Sequence, residues 1–190
     1  MDLTLGHTAR IRAAAKKHAL TIPQEAYVLA TAYWETARTM QPVEEAYYLG
    51  SKAAAYRRKL RYYPWYGRGF VQLTWEANYR KAGEKIGADL IANPALALDP
   101  DHAAEILVLG SKEGWFTGKG LSRYIGTTVD YVNARRIING TDKAKEIAAI
   151  AREYEATIRA EPVEPLRDSA PLKPHPLATI IAALLRLFRR

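Results

Sequence analysis

The stretch that decides the fold of this chain reads Tyr66-Gly67-Arg68-Gly69-Phe70-Val71-Gln72-Leu73-Thr74-Trp75, directly behind the aromatic run Tyr62-Tyr63-Pro64-Trp65. Aromatic rings cover the apolar faces of sugars, and amides and hydroxyls bond sugar hydroxyls and N-acetyl groups, so this composition is typical of a carbohydrate cleft. The same residues also suit a core-packing segment that turns at Gly67 and Gly69, and composition leaves both interpretations open. We predict a loop that leads into a short strand over residues 70–73.

Helical patterns lie on both sides of this stretch. Upstream, Thr21 and Gln24 form a capping box that opens a helix to about Thr39, with Pro42 as its stop. Further helices are predicted, in chain order, over about residues 51–60, 75–86 (capped by Thr74 and ended by Gly87), 100–115 (capped by Asp99), 128–139 and 143–160. The sequence therefore predicts a mainly α domain over residues 1–160 with a small β element.

The chain changes character after residue 160. Residues 161–176 contain five prolines, which is typical of a stiff, extended linker. Residues 177–190 carry apolar side chains on one helical stripe and a cluster of arginines at the end, which predicts a short basic amphipathic helix. Such a helix can bind an anionic membrane or dock on the catalytic domain, and the sequence leaves both open.

Composition narrows the chemistry. The 190 residues contain no cysteine, so disulfides and thiolate catalysis are excluded, and four scattered histidines without an H-E-x-x-H motif argue against a metal hydrolase. We expect no metal and no cofactor. The net charge of +8 predicts an anionic partner, which is nucleic acid, a membrane surface or an acidic wall polymer. Lys16-Lys17 and Arg57-Arg58-Lys59 are short basic runs of the kind that usually face solvent, so no nucleic acid is expected.

The remaining hydrolytic groups are carboxylates. Glycoside hydrolysis needs two of them, one protonated acid and one ionised base or nucleophile. Glu35 has aromatic or small neighbours in residues 32–37, and an apolar setting keeps a carboxyl protonated. Glu44 would lie about 13 Å from Glu35 along a continuous helix, but a chain reversal at Pro42 would permit the roughly 6.5–9.5 Å that an inverting enzyme requires. Each glutamate taken alone also suits a solvated helix surface.

A family resemblance becomes specific at this point. Residues 66–74, continued by Asn78-Tyr79, resemble the Y-G-R-G-x-I-Q-[LI]-[ST]…N-Y signature of glycoside hydrolase family 19, which comprises chitinases and related phage endolysins. Residues 34–36 resemble its H-E-[ST] segment, residues 89–97 its D-L-x-x-x-P-x-L-A stretch and residues 137–140 its I-I-N-G-G block. The four blocks stand in the family's order across residues 20–160. The chain departs from the pattern at Trp34 for histidine, at Ala37-Arg38 for Gly-Gly and at Thr141 for the second glycine of the last block.

The resemblance implies a site. It assigns Glu35 as the catalytic acid and, by the spacing of the endolysin branch, Glu44 as the second carboxylate, with Glu45 as the competing assignment. It implies that Thr74 positions the attacking water and that substrate is contacted by Gln72, Asn78, Asn139, Tyr66 and Arg68, where Arg68 has the alternative role of orienting a carboxylate. The implied fold is a mainly α, α+β lysozyme-like domain over residues 1–160, with two helical lobes, a small β element and a cleft between the lobes. The implied reaction is single-displacement hydrolysis with inversion, without a cofactor.

These features predict a peptidoglycan-degrading phage endolysin that cleaves the β-1,4 bond between muramic acid and glucosamine. A positively charged protein fits an anionic wall better than neutral chitin, so a chitinase is the alternative, and a non-catalytic wall-binding module is a further one. The N-terminus lacks a basic segment followed by an apolar one, so we expect the protein to stay in the host cytoplasm until it is released to the wall. We expect a monomer.

Overall fold

The computed structural model describes residues 1–162, of which Met1–Ala160 form one compact unit. Within those residues lie seven α-helices and two short strands: α1 Thr8–Lys17, α2 Ile22–Glu35, β1 Val43–Glu44, α3 Ala53–Arg57, β2 Arg68–Gly69, α4 Glu76–Ile86, α5 Pro100–Glu113, α6 Tyr131–Ala134 and α7 Ala144–Arg159. The prediction of a mainly helical fold with a small β element is confirmed. The predicted linker beyond residue 162 and the amphipathic helix at 177–190 lie outside the described residues. No helix among the described residues is both long and apolar enough to cross a membrane.

Helix α2 lies at the centre of the core. Every residue from Ala26 to Ala32 is buried, and the helix packs against α1, α5 and most extensively α7. Alanines on α2 and α7 let the two helices approach closely, while large side chains fill the space around them: Tyr154 of α7 packs its ring edge-to-face against Tyr33 at 6.2 Å. Full burial of one such side chain contributes about 1.5–3 kcal/mol, so the α2–α7 contact is a major source of stability.

The end of α2 differs from the prediction. The helix ends at Glu35, not near Thr39, and Pro42 plays no part in stopping it. The Thr36 hydroxyl donates to the Ala32 carbonyl at 2.7 Å and accepts from the Met40 amide at 3.0 Å, and Ala37 and Arg38 follow in left-handed conformations. A side-chain hydroxyl that bonds nearby backbone groups competes with the helix pattern. Glu35 is therefore the last residue of the helix, directly before the chain reverses.

The predicted strand over residues 70–73 is wrong. Val43 pairs with Gly69 and Glu44 with Arg68 in an antiparallel ladder, and residues 70–73 form the turn that follows. Arg68 and Leu73 exchange two backbone hydrogen bonds of 3.2 and 2.9 Å across that turn, and Gln72 takes a φ of 53°. Phe70, Val71 and Leu73 are apolar because they are buried. A short apolar run predicts burial, but it does not show whether the buried segment is a strand. The register sets Glu44 directly opposite Arg68.

Other helix boundaries are partly as predicted. Gly87 ends α4 in the left-handed conformation, and the Asp99 side chain caps α5 by accepting from two backbone amides, both as expected. Thr74 is not a cap, because α4 begins one residue later behind Trp75. The helix predicted from residue 128 begins at Tyr131 behind Asp130, whose side chain accepts from the Asn133 amide, and it continues as a 3-10 turn over residues 135–137.

Two further boundaries complete the comparison. The helix predicted over residues 51–60 is shorter than expected: a 3-10 turn at Tyr47–Lys52 precedes α3, which covers only Ala53–Arg57. The last predicted helix, 143–160, matches α7 to within one residue at each end.

Candidate active site

Glu44 lies on β1 and is held by three side chains from the following segment. The Tyr66 hydroxyl donates to Glu44 Oε1 at 2.7 Å, and Arg57 Nη1 donates to Oε2. Arg68 Nε lies 3.7 Å from Oε1. The Glu44 side chain keeps 31% of its surface exposed, so the carboxylate is fixed in place and still reaches solvent.

Tyr66 and Arg68 form the support behind this carboxylate. The buried Arg68 guanidinium lies 3.6 Å over the Tyr66 ring and donates to the Pro64 carbonyl at 3.0 Å and to the Tyr79 hydroxyl at 2.9 Å. Burial raises the pKa of the Tyr66 phenol, and its hydrogen bond to Glu44 raises that pKa further. Burial likewise raises the pKa of Tyr79 to about 12. Both phenols therefore remain hydrogen-bond donors throughout the neutral range.

Glu45 lies in a different environment from its neighbour. Its Oε1 accepts from the Tyr62 hydroxyl at 2.8 Å and its Oε2 accepts from the Gly67 amide at 2.9 Å. A Cβ on Gly67 would lie 3.3 Å from this carboxylate and 2.7 Å from Gln72 Oε1, so only glycine fits without a shift. Both oxygens of Glu45 thus fasten the 62–67 loop against β1.

Glu35 is ion-paired, which corrects the expectation of an apolar setting. Its Oε1 accepts from Arg135 Nη1 at 2.7 Å, and the side chain is 19% exposed. Arg135 is buried in the 3-10 turn after α6 and also donates through Nε to the Asp142 carbonyl at 3.2 Å. Local sequence could not reveal this partner, because it stands 100 residues away and its only signal was proximity to the 137–140 block. The backbone N–H of Asn139, an exposed residue, donates to the Arg135 carbonyl at 3.0 Å.

The remaining predicted residues lie along the turn and the start of α4. Gln72 Nε2 donates to the Val43 carbonyl at 3.0 Å, and Asn78 Nδ2 donates to the Thr74 carbonyl at 2.9 Å. Gln72, Thr74 and Asn78 are each partly exposed. The structure thus brings Glu44, Tyr66, Arg68 and Gln72 together around the hairpin. Glu35 lies against the Arg135 side chain instead, and Asn139 follows four residues after Arg135.

The surroundings suit a sugar polymer better than a small enclosed ligand. Five large aromatic side chains of the 47–75 segment are at least 40% exposed: Tyr47, Tyr48, Tyr56, Tyr63 and Trp75. Exposed rings of this kind can stack on sugar faces. Two concavities of about 460 and 440 Å³ lie along α4 and α1, and neither contains Glu35 or Glu44. Residues 1–162 contain no group of three or more His, Asp or Glu side chains placed to hold a metal ion.

Comparison with known proteins shows similarity to one family of glycoside hydrolases. The family model described as chitinase class I, glycoside hydrolase family 19, matches residues 25–108. That range includes Glu35, Glu44 and the hairpin but leaves out Arg135 and Asn139. Chitinase 11 of Oryza sativa subsp. japonica is 32% identical over 120 residues, and endochitinase A of Zea mays is 30% identical over 105 residues. These matches span 44% and 35% of the two relatives, so the chain corresponds to less than half of either protein.

Solved structures support the same fold. Chitinase C from Streptomyces griseus HUT6037 superposes with a TM-score of 0.57 and 22% identity over 75% of this chain and 62% of that chain. A bacterial family 19 chitinase superposes with a TM-score of 0.52 and 23% identity over 83% of this chain and 88% of that chain. At this level of identity the superpositions show similarity of fold only.

Proposed function

We propose that this chain, which matches the glycoside hydrolase family 19 model over residues 25–108, is an inverting glycosidase that cleaves the β-1,4-linked amino-sugar backbone of bacterial peptidoglycan, in the manner of a phage endolysin. The observation that carries this proposal is the pair of partly exposed glutamates, each held by its own cationic support. Glu35 is held by Arg135, and Glu44 is held by Tyr66 and Arg57.

The proposed mechanism gives each carboxyl one task. Glu35 takes up a proton from solvent before each turnover and delivers it to the glycosidic oxygen, and Arg135 pairs with the carboxylate that is left behind. In the same step Glu44 removes a proton from water, and that water attacks the anomeric carbon as the bond to the leaving sugar breaks. Both glutamates accept two hydrogen bonds, but those of Glu45 come from the 62–67 loop that it fastens to β1, whereas Glu44 has two arginines beside its carboxylate, so Glu44 is proposed as the base. Thr74, partly exposed at the end of the hairpin turn, is proposed to orient the water, and Gln72, Asn78 and Asn139 to contact substrate.

Charge separates the two candidate substrates. A net charge of +8, with basic residues close to Glu44, favours an anionic wall polymer over neutral chitin. A chitinase remains the second candidate, favoured by the names of the plant relatives. A module that only binds the wall is less well supported, because binding alone does not require a partly buried glutamate paired with an arginine.

The proposal is tested by turbidity loss of outer-membrane-permeabilised Gram-negative cells, followed by mass spectrometry of the released fragments. We expect wild type to clear the cells and Glu35→Gln to fail. Glu84→Gln, which makes the same chemical change on the exposed side of α4, should clear them like wild type. Equal clearing by Glu35→Gln and wild type would show that Glu35 is not the acid, and hydrolysis of chitin oligomers alone would favour the chitinase.

Two wider parts of the proposal concern the whole protein. We propose that it acts as a monomer and remains in the host cytoplasm until release, which gel filtration and cell fractionation would check. Residues 177–190 are proposed to contact anionic membranes. If deletion of residues 163–190 left liposome binding and whole-cell lysis unchanged, the membrane contact would be wrong.

A further inference from the structure

A strongly basic segment lies beside the Glu44 carboxylate. Residues 52–61, named here the basic segment, read Lys-Ala-Ala-Ala-Tyr-Arg-Arg-Lys-Leu-Arg and contain five cations and no acid. The segment includes α3, whose last residue, Arg57, bonds Glu44 Oε2 and the Glu45 carbonyl. The positive charge of this segment therefore begins in direct contact with the second carboxylate.

The basic segment forms one wall of a small cleft. Its lining is Ala54, Arg57, Arg58, Tyr63 and Tyr66, and its volume is about 90 Å³. Pockets that enclose a whole small molecule are about 300 Å³ or larger, so this cleft has room for one functional group rather than a sugar ring. Tyr66, which lines the cleft, also donates to Glu44 Oε1, so a group bound here would lie next to the reacting sugar.

The two arginines of the cleft differ in what they already bind. Arg57 is committed to Glu44 and to the Glu45 carbonyl, and its guanidinium lies 5.1 Å from the centre of the Tyr66 ring. Arg58 is exposed, and no carboxylate within residues 1–162 pairs with it. Beside it, the Tyr63 ring is 48% exposed and stacks at 6.2 Å on Tyr66. The cleft thus offers a guanidinium with its donors still available and an exposed phenol.

We propose that this cleft is an anionic subsite in which Arg58 binds a carboxylate carried by the muramyl residue of the substrate. The planar fork of a guanidinium matches a carboxylate with two parallel hydrogen bonds. A muramyl residue supplies that anion through the carboxylates of its attached peptide or, where the peptide has been removed, through the free lactyl carboxylate, whereas N-acetylglucosamine polymers carry no anion. The proposal rests on the proposed function and extends it, because it names the group by which the enzyme distinguishes peptidoglycan from chitin.

The test measures binding in the full-length chain with Glu35→Gln, so that ligands are not cleaved. Trp65 and Trp75 follow the basic segment along the chain and make intrinsic fluorescence a suitable signal. The ligands are a peptide-bearing peptidoglycan tetrasaccharide, the same tetrasaccharide with its peptides removed by an amidase, and a neutral chitin tetrasaccharide. The added substitution is Arg58→Gln. Lys59→Gln, an exposed cation of the same segment that does not line the cleft, is the matched control.

We expect Arg58→Gln to weaken binding of the peptide-bearing ligand about five- to tenfold, as the loss of one exposed charge-assisted contact predicts, and to change chitin binding less than about twofold. The loss should shrink as salt is raised from low ionic strength to about 0.5 M. The lactyl carboxyl is an uncharged amide in the peptide-bearing ligand and a free carboxylate only in the stripped one. A loss on the peptide-bearing ligand alone would therefore assign the anion to the peptide, a loss on the stripped ligand alone would assign it to the lactyl group, and a loss on both would show that the subsite accepts either carboxylate.

Two results would overturn the subsite: unchanged binding of both muramyl ligands, or an equal loss on neutral chitin. A loss of the same size with Lys59→Gln would count against it as well, since it would show a general charge effect. The proposed function fails by a different readout, the absence of new reducing ends when wild type is incubated with sacculi. Binding in the Glu35→Gln background is independent of that readout, so the two failures are distinguishable.

Discussion

The ion pair between Glu35 and Arg135 permits a quantitative prediction. Replacing Arg135 by Met removes a buried cation and leaves the Glu35 carboxylate, 19% exposed, without the 2.7 Å bond that holds it. Replacing Glu35 by Gln does the reverse and leaves the buried guanidinium without its anion. The double variant removes both charges, so neither is left buried and unpaired.

The expected loss of unfolding free energy depends on two opposing effects, the attraction between the two charges and the cost of removing them from water. At an effective dielectric constant of about 20, two unit charges about 2.7 Å apart attract by about 6 kcal/mol, and the cost of taking both out of water offsets much of this. Removal of one partner alone from a fully buried pair costs about 3–5 kcal/mol, and the partial exposure of Glu35 lowers our expectation to about 2–4 kcal/mol for each single variant. The double variant should be less destabilised than the sum of the two single variants by about 2 kcal/mol.

Wild type, the two single variants and the double variant form a double-mutant cycle, and their free energies of unfolding are measured by urea unfolding followed by tryptophan fluorescence. The bond from Arg135 Nε to the Asp142 carbonyl is lost in both backgrounds that carry Arg135→Met, so it cancels from the coupling term. Arg136→Met, on the exposed neighbour, is the matched control and should cost less than about 0.5 kcal/mol, with no coupling to Glu35→Gln. If the free energies of the two single variants added to within about 0.5 kcal/mol, the ion pair would not be the support of Glu35.

The remaining predictions concern the hairpin site. Gly69→Ala should cost about 1–3 kcal/mol of unfolding free energy, because Gly69 has a φ of 83° and its Cβ would lie 2.8 Å from the Ala97 backbone carbonyl, whereas Gly140→Ala, in open space, should be nearly neutral; equal costs in urea unfolding would contradict this. Tyr66→Phe removes the hydroxyl bond to the second carboxylate and should lower kcat about 10- to 100-fold with little change in KM; a kcat within about twofold of wild type would refute a role for that bond. The pKa of Tyr79 is raised to about 12 in the folded protein, so as the pH rises the unfolded chain loses this phenolic proton first. The free energy of unfolding should therefore fall between about pH 10 and 12, by about 1.4 kcal/mol per pH unit for this tyrosine. If Tyr79→Phe showed the same slope as wild type in this range, the prediction would be contradicted.

Regular helices were predictable from local sequence because their signals are local. The Asp99 cap, the Gly87 stop and the limits of α7 all depend on residues within one helical turn. The fold class followed from these elements together with the four family blocks. The end of α2 was not predictable, because it depends on the Thr36 hydroxyl bonding two backbone groups in preference to continuing the helix.

The site was predictable in its residue types but not in its contacts. The sequence pointed to Glu35 and Glu44, and it also named Tyr66 and Arg68, which the structure brings to Glu44. It could not show that Glu35 meets Arg135, since a pairing across 100 residues depends on how α2 packs against the segment after α6. It also left Glu44 and Glu45 undistinguished, because their difference arises only when the 62–67 loop folds back on β1.

The anomeric configuration of the fresh product tests the central claim most directly. Time-resolved proton NMR of wild type acting on a β-1,4-linked amino-sugar oligomer from peptidoglycan should show the α-anomer of the new reducing end first, with the β-anomer rising later by mutarotation, and Glu35→Gln should yield no product. A β-anomer formed first would mean retention and would contradict the single-displacement roles of Glu35 and Glu44. Product formation by Glu35→Gln at the wild-type rate would remove Glu35 from the reaction altogether.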